Sequence, residues 1–198
     1  GNGIKQNNLE NMINDISKKL KMPIVSSMIG FDIIKNEKVN YGFIGAYGHR
    51  YANFIISKCD LLITLGTRLD IRQVGANRKN FATKAKIIRI EIDENESEYK
   101  IDDEEIFKLD IQEALLALKQ ISEKITMSNY CKWIEICNEI KSKLKDIDTK
   151  NYNLYIEKIS KQIEDGVQIT TDVGQNQVWV AQSFKVKPNQ RVLFSGGH

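Results

Sequence analysis

Residues 170–182 (Thr-Thr-Asp-Val-Gly-Gln-Asn-Gln-Val-Trp-Val-Ala-Gln) combine the residue types and the spacing that best suit binding of an anion. A β-branched run ending at Thr171 predicts a strand, Asp172-Val173-Gly174 a tight turn, and the next residues a helix. A helix that starts behind such a turn directs free backbone N–H groups at one point, which favours a phosphate or diphosphate. Gly174 lets the backbone approach a ligand, and Gln175 and Asn176 add neutral donors. Most strand–glycine–helix turns only connect two elements, so that alternative stays open.

Charged side chains also follow two other predicted strands. Gly66-Thr67-Arg68-Leu69-Asp70-Ile71-Arg72 comes after the apolar run Asp60–Leu65, and its two arginines and aspartate could grip the phosphates and ribose of a nucleotide. Glu91 and Asp93 end the next predicted strand, where an acidic residue commonly binds ribose hydroxyls. For residues 66–72 the alternative is a solvated loop with local salt bridges. For Glu91 and Asp93 the alternative is a carboxylate that forms a turn.

The remaining candidates carry weaker signals. Gly1-Asn2-Gly3 looks like the end of a strand running into a helix and could cradle a phosphate, although a lone G-x-G is not specific. His49 precedes a predicted helix, a position more typical of a helix start than of a catalyst. Cys59, Cys131 and Cys137 have no metal-ligand spacing, so we interpret them as packing residues of a protein in the reducing cytoplasm.

The hydrophobic pattern predicts an α/β fold in which a parallel, Rossmann-like sheet is flanked by helices. The predicted strands are residues 23–26, 60–65, 86–93 and 105–109, the predicted helices are residues 7–20, 50–58 and 111–121, and residues 42–48 are a predicted loop. The run Asp60–Leu65 is continuously apolar after its first residue, as expected of an interior strand buried on both faces.

Two amphipathic helices and a polar segment follow this sheet. Helical spacing relates Tyr130, Trp133, Ile134, Cys137, Ile140 and Leu144, and again Tyr152, Tyr155, Ile156, Ile159 and Ile163. Both stripes predict packing faces. The polar residues 145–151 predict a hinge, so we divide the chain into a nucleotide-binding-like domain (1–125), a helical linker (126–150) and the opening strand–helix segment of a second α/β domain (151–198).

Composition excludes two classes of partner. Twenty-nine basic and 26 acidic residues give a net charge of +3, with scattered lysines, which argues against nucleic acid. No apolar run approaches the roughly 20 residues of a membrane-spanning helix, so no membrane partner is expected.

These motifs, taken in chain order, resemble thiamine-diphosphate enzymes of the acetolactate synthase large-subunit family. Residues 170–182 resemble the start of that family's cofactor-binding domain, which usually reads Asp-Val-Gly-Gln-His-Gln-x-Trp, with Asn176 in place of His. Asp60–Arg72 resembles Ala-Asp-Leu-Leu-Ile-x-Leu-Gly-x-Arg-Phe-Asp-Asp-Arg of its middle domain, with Leu69 for Phe and Ile71 for the second Asp. Further matches are Pro23–Gly30, Gly45-Ala46-Tyr47-Gly48 (for Gly-Met-His-Gly), Tyr51-Ala52-Asn53, Ile90–Asp93 and Leu109-Asp110-Ile111.

The resemblance implies two cofactor sites. It implies that thiamine diphosphate contacts the turn Val173, Gly174, Gln175 and Asn176. It also implies that FAD, another nucleotide or nothing occupies the middle domain, at Gly1, Gly3, Ser27, Met28, Gly45, Arg68, Asp70, Arg72, Glu91, Ile92 and Asp110. The family's activating glutamate lies in an N-terminal domain and its Mg²⁺ motif beyond His198, so no residue of this chain is expected to be a catalytic group or a metal ligand.

The resemblance further implies that the chain is a fragment of a larger enzyme. That enzyme would decarboxylate one 2-keto acid and join the product to another, converting two pyruvates to acetolactate and CO2 in branched-chain amino acid biosynthesis. It would be a cytoplasmic homodimer or homotetramer, with a regulatory small subunit as a further expected partner, and the fragment alone would be inactive. The alternatives are another thiamine-diphosphate lyase or decarboxylase, including sugar-modifying relatives, and a stand-alone nucleotide-binding or regulatory module.

Overall fold

A computed structural model describes residues 1–93, 101, 104–125, 131–145 and 149–196, and every structural statement below concerns those residues. The expected hinge at 145–151 lies partly outside them, and Tyr130 of the first helical stripe lies wholly outside.

All strand pairings are parallel, as the sequence predicts. The strands are β1 (Ile24–Ser26), β2 (Asn40–Phe43), β3 (Leu61–Leu65), β4 (Lys86–Glu91), β5 (Glu104–Lys108), β6 (Ile169–Thr171) and β7 (Val192–Phe194). Strand β1 pairs with β2, β4 lies between β3 and β5, and β6 pairs with β7. The predicted α/β class with parallel sheets flanked by helices is confirmed.

Within the described parts of the chain, eight α-helices connect and cover these strands. They are α1 (Asn2–Gln6), α2 (Glu10–Leu20), α3 (Arg50–Lys58), α4 (Ile71–Val74), α5 (Ile111–Lys124), α6 (Cys131–Leu144), α7 (Asn151–Gln162) and α8 (Gln175–Ser183). The helix predicted over residues 7–20 is present as α2 but begins at Glu10, and α1 was not predicted; Asn8, with a left-handed φ of 56°, separates the two helices. Asparagine tolerates this conformation better than most residues.

Helices cover the sheets on two sides. One apolar cluster joins β4 to α3 and α6 through residues such as Ile87, Ile55 and Cys137. A second cluster joins α1, α2 and α5 and includes Ile16 and Leu115. This two-sided burial explains why the strands are rich in isoleucine and leucine rather than alternating with polar residues.

Three further expectations need correction. Strand β3 is not interior: it forms one edge of its three-stranded sheet, and Leu61 is 42% exposed. Residues 42–48 are not all loop, since β2 includes Gly42 and Phe43. The sequence reading also missed β7, because three apolar residues beside a proline and polar turn give little periodicity.

The two predicted helical stripes behave differently. In α6, Cys137 is fully buried, and Trp133, Ile140 and Leu144 pack on the same cluster as α3. This helix therefore packs on the nucleotide-binding-like part of the chain. In α7 only part of the stripe packs inward: Ile156 contacts the core formed by Val180, Phe184 and Val192, whereas Tyr155 is 65% exposed.

Candidate functional site

The turn before α8 has an open approach to a helix N-terminus. Gly174 is the N-cap residue, with φ 138° and ψ −167°, a conformation that side-chain-bearing residues rarely adopt. No side chain caps the helix, so the backbone N–H groups of its first turn have no carboxylate or hydroxyl partner at the N-cap. A Cβ at Gly174 would meet only the Asn176 Oδ1, at 3.1 Å, which leaves room for a ligand on that side.

Strand β6 brings a second polar group to this turn. The Thr171 Oγ1 is buried and has no hydrogen-bond partner among the described residues. Asp172 points its Oδ1 at the backbone N–H of Val173, at 2.7 Å, so this carboxylate is used within the turn. Together with the uncapped helix start, an unsatisfied hydroxyl fits an anionic group such as a diphosphate. Val173, Gly174, Gln175 and Asn176 are all exposed around this point.

The glycines at the start of the chain lie against the end of β3. The Gly1 backbone nitrogen donates to the Leu65 carbonyl at 2.7 Å, and the Gly3 N–H donates to the Gly66 carbonyl at 3.1 Å. A Cβ at Gly3 would lie 3.0 Å from the Gly66 Cα, so a side chain here would push the two backbone segments apart by a few tenths of an ångström. The predicted proximity of Gly1, Gly3 and the loop after β3 is therefore present.

Ser27 and Met28 lie beside these glycines. Ser27 follows β1, and Met28 begins a short 3₁₀ turn that ends at Gly30. A Cβ at Gly30 would be 3.2 Å from the Ser27 Oγ and 3.5 Å from the carbonyl carbon of Gly1. The Ser27 Oγ is buried without a hydrogen-bond partner among the described residues. Such an orphaned hydroxyl next to a glycine turn fits the polar part of a nucleotide.

Two loops complete this edge of the sheet. The Ala46 N–H, next to Gly45, donates to the Arg72 carbonyl at 2.8 Å. The Thr67 hydroxyl donates to the Gln73 Oε1 at 2.9 Å, which ties the residue after Gly66 to α4. Gly45 has φ 113°, and a Cβ there would collide with the Arg72 backbone. These contacts join Gly45 and Arg72 to the region around Gly1 and Gly66, so that they form one continuous edge.

The acidic candidates are occupied by backbone contacts. Asp70 is the N-cap of α4, accepting from the N–H groups of Arg72 and Gln73. Asp110 is the N-cap of α5, accepting from the N–H of Gln112 at 2.7 Å. Glu91 accepts from the N–H groups of Ile92 and Asp93 at its own strand end. Turn formation is the alternative that the sequence left open for Glu91, whereas helix capping by Asp70 and Asp110 was not anticipated.

A buried arginine links the candidates that follow β3 and β4, and sequence reasoning missed it. Arg89 is fully buried in β4; its Nη2 donates to the Arg68 carbonyl at 3.0 Å and lies 3.7 Å from the Glu91 Oε2. Arg68 and Glu91 are thus brought together through Arg89. The sequence clue to this buried arginine was a single charged residue within the apolar run Ile-Ile-Arg-Ile. Ile92, by contrast, is 65% exposed beyond this cluster.

His49 connects the start of α3 to β2 and to α8. It is the N-cap residue of α3, its Nδ1 accepts from the Phe43 N–H at 3.2 Å, and its Nε2 lies 3.0 Å from the Gln182 carbonyl. This arrangement requires the neutral tautomer with a proton on Nε2. Burial lowers the pKa of His49 below its usual value, and the nearby Lys141 and Lys185 lower it further. The predicted helix-start position is confirmed.

The cysteines and the acidic residues form no additional site in the part of the chain that is described. Burial raises the pKa of Cys59 to about 11 and that of Cys137 to about 12, so neither thiol is an activated nucleophile. No group of three or more His, Cys, Asp or Glu side chains there could hold a metal ion. No helix among the described residues is long and apolar enough to cross a membrane.

Comparison with known proteins indicates the family of the chain. A family model for the thiamine pyrophosphate enzyme central domain matches residues 1–118. Over its whole length the chain is 32% identical to a probable acetolactate synthase large subunit of Methanococcus aeolicus and 29% identical to the acetolactate synthase large subunit of Lactococcus lactis. It is 27% identical, over 93% of its length, to the isozyme 1 large subunit of Escherichia coli K12.

The chain spans about a third of the length of these relatives: 36% of the Methanococcus protein, 35% of the Lactococcus protein and 33% of the Escherichia protein. The central-domain match ends before α6, whereas the similarity to the relatives continues through the turn at Gly174. Because the family model covers more than half of the chain, the chain belongs to the thiamine pyrophosphate enzyme family.

Proposed function

We propose that the turn from Asp172 to Asn176 binds the diphosphate of thiamine diphosphate in a full-length enzyme of which this chain is one part. The observation that carries the proposal is the uncapped N-terminus of α8 behind Gly174, next to the buried, partnerless Thr171 Oγ1. The backbone N–H groups and the Gln175 and Asn176 amides would hold the anion and orient the rest of the cofactor. Mg²⁺ would be held by ligands outside residues 1–198.

The proposed activity is that of an acetolactate synthase large subunit, because relatives with that name match the chain from end to end. The substrate would be a 2-keto acid, with two pyruvates giving acetolactate and CO2 for branched-chain amino acid biosynthesis. Bound thiamine diphosphate supplies the nucleophilic carbon and the electron sink for decarboxylation. The residues of this chain would contribute binding and orientation, while the acid–base groups would come from other parts of the enzyme.

A second proposed site is a nucleotide site for FAD at the edge of the sheet. Support comes from the glycine contacts of Gly1 and Gly3 with Gly66 and from the orphaned Ser27 Oγ. Arg68 and Arg72 would contact phosphates from the loop after β3. Asp70, Asp110 and Glu91 would act mainly by shaping this edge, because each carboxylate already accepts backbone N–H groups.

The enzyme would be cytoplasmic and would assemble as a homodimer or homotetramer, with a regulatory small subunit as a further proposed partner. Another thiamine-diphosphate lyase or decarboxylase is the alternative activity. It would share the diphosphate turn and differ in the fate of the decarboxylated unit, which would leave as an aldehyde or add to a different acceptor.

The test is product analysis with the purified full-length enzyme and pyruvate, in the presence and absence of thiamine diphosphate and Mg²⁺. Acetolactate formation that depends on both additions is expected. Release of acetaldehyde instead would indicate a decarboxylase. Nucleotide binding without turnover of any 2-keto acid would favour a regulatory module and contradict the proposed activity.

A further inference from the structure

A buried ion pair connects the beginning of the described chain to its end. The Lys5 Nζ donates to both carboxylate oxygens of Asp32, at 3.0 and 2.8 Å, and the two side chains are only 9% and 2% exposed. A buried ion pair is a poor stabilising device, because desolvation of the two charges offsets most of their attraction. Its position therefore points to a role in holding geometry.

Both charges also bind the backbone of one residue of β7. The Lys5 Nζ donates to the Val192 carbonyl at 2.6 Å, and the Val192 N–H donates to the Asp32 Oδ2 at 2.8 Å. Val192 itself is fully buried. The ion pair thus satisfies the donor and the acceptor of this residue at once, and a shift of β7 by one residue would lose both bonds.

These bonds lie on the side of β7 that faces away from β6. On the other side, the Ile169 N–H donates to the Arg191 carbonyl at 2.9 Å and the Ser195 N–H donates to the Thr171 carbonyl at 3.1 Å. Because backbone groups alternate along a strand, those of Val192 point outward. Lys5 and Asp32 occupy the position that a neighbouring strand would take.

Strand β7 in turn supports the turn at Gly174 from both ends. The N–H of Ser195, the residue directly after β7, donates to the Thr171 carbonyl and holds the last residue of β6 before the turn. The Gln177 Nε2, in the first turn of α8, donates to the Ser195 carbonyl at 2.9 Å. A displacement of β7 would therefore move the strand before the turn and the helix after it.

We propose that Lys5 and Asp32 are positioning residues that fix the register of β7 and thereby hold the Asp172–Gly174 turn in its ligand-binding geometry. We call the Lys5–Asp32 pair and its two bonds to the Val192 backbone the clamp. The inference rests on the proposed function for its ligand, whereas the effect of the clamp on β7 can be measured without any ligand. The neighbouring ion pair of Arg191 with Glu10 lies on the same segment but is 41% and 21% exposed. It provides a matched control.

The experiment uses the full-length enzyme with Asp32→Asn, with the double change Lys5→Met plus Asp32→Leu, and with the control Glu10→Gln. Backbone hydrogen exchange of residues 169–176 is measured without cofactor, followed by titration with thiamine diphosphate at fixed Mg²⁺. Asp32→Asn should speed exchange and weaken cofactor binding, each by about tenfold or more, while Glu10→Gln leaves both within about threefold.

The double variant separates positioning from folding stability. The double change removes the uncompensated Lys5 charge that Asp32→Asn leaves behind, so its melting temperature should lie above that of Asp32→Asn. It should stay below that of the wild type, because the buried Val192 N–H and carbonyl lose their partners. Its exchange and its cofactor affinity should stay impaired, because nothing then binds the Val192 backbone. Unchanged exchange at residues 169–176 in folded variants would overturn the clamp. Faster exchange with unchanged affinity would overturn its role in ligand binding, and a wild-type enzyme that does not bind thiamine diphosphate would instead refute the proposed function.

Discussion

The Nη2 of Arg89 donates to the backbone carbonyl of Arg68 at 3.0 Å, so a fully buried side chain in β4 supports the loop that follows β3. The same guanidinium lies 3.4 Å from the Glu104 Oε1, and both side chains are fully buried. Arg89→Met would leave the Glu104 carboxylate buried without its cationic partner, with the Ile101 N–H as its remaining donor at 2.8 Å. We expect a loss of about 3–5 kcal/mol in the free energy of unfolding, measured by urea denaturation.

The matched control for this change is Lys86→Met in the same strand. The Lys86 Nζ lies 3.1 Å from the Glu105 Oε2, but the two side chains are 64% and 51% exposed. An exposed pair of this kind contributes about 0–1 kcal/mol, so the control should denature almost as the wild type does. Equal losses in the two variants would contradict a special role for Arg89.

Ser27→Ala tests the nucleotide site. Because the Ser27 Oγ is buried without a protein partner, its removal should leave the melting temperature unchanged or slightly raised. Flavin binding by the full-length enzyme should weaken by about 0.5–1.5 kcal/mol, the usual contribution of one hydrogen bond. Thr64→Val is the control, since the Thr64 Oγ1 is also buried without a partner but lies within β3. A protein that binds flavin equally well with Ser27→Ala would exclude contact with this hydroxyl.

His49 should make the fold sensitive to acid. Its folded-state pKa is lowered by burial, so the unfolded chain takes up a proton at a higher pH than the folded chain does. Stability should therefore be fully present above pH 6.5, the usual value for histidine, and should decrease as the pH falls below it. The slope from this residue is at most about 1.4 kcal/mol per pH unit.

Thermal denaturation at a series of pH values measures this slope. His49→Gln should reduce it, because glutamine does not titrate. Lys185→Gln should leave the onset near pH 6.5 unchanged but end the decline at a higher pH and reduce its total size, because it removes a positive charge that opposes protonation of His49 in the folded chain. An identical acid slope in wild type and His49→Gln would show that other groups control the acid sensitivity.

The sequence predicted those elements whose local pattern and tertiary environment agree. Helix α3 was predicted at Arg50–Lys58, where it is found, and the predicted strands 86–93 and 105–109 contain or overlap β4 and β5. The left-handed Asn8 between α1 and α2 was not predictable from periodicity, because the spacing of apolar residues does not report the backbone conformation of a polar residue.

Local sequence patterns were also insufficient to predict every part of the candidate sites. Gly1, Gly3, Gly45 and Gly174, which the sequence offered as site residues, have close backbone neighbours or a positive φ in the structure, while their ligand contacts stay predictions. The partners of Lys5, Asp32 and Arg89 are separated from them by up to 187 residues of sequence, so no local pattern could reveal them. Carboxylates such as Asp70 fit ribose binding and helix capping equally well in sequence, and only the fold shows the capping contact.

The isolated 198-residue chain should not consume pyruvate, even with added thiamine diphosphate and Mg²⁺. Its described residues include no cluster that could hold a metal, and burial raises the pKa of the Cys59 and Cys137 thiols, so neither is an activated nucleophile. The measurement is pyruvate depletion, with the full-length enzyme as the positive control. Turnover above background by the isolated chain would show that the catalytic groups lie within these residues.

The side chains after Gly174 should contribute less than the glycine itself. Gln175→Ala and Asn176→Ala should each weaken binding of thiamine diphosphate by about 0.5–3 kcal/mol, the range for one hydrogen bond including charged partners. Asn176→His, which introduces the residue usual in the resembling family, should leave binding roughly intact. These affinities are measured by calorimetric titration of the full-length enzyme. Loss of binding in Asn176→His equal to that in Asn176→Ala would contradict donation from this position.

The central claim is that the turn at Gly174 binds the diphosphate of thiamine diphosphate, and titration of full-length Gly174→Val at fixed Mg²⁺ tests it most directly. Valine would be strained at φ 138° and would place a branched side chain in the approach path of the ligand. The account predicts a loss of cofactor affinity of at least about a hundredfold with the fold preserved by circular dichroism. Wild-type affinity in a folded Gly174→Val enzyme would contradict it.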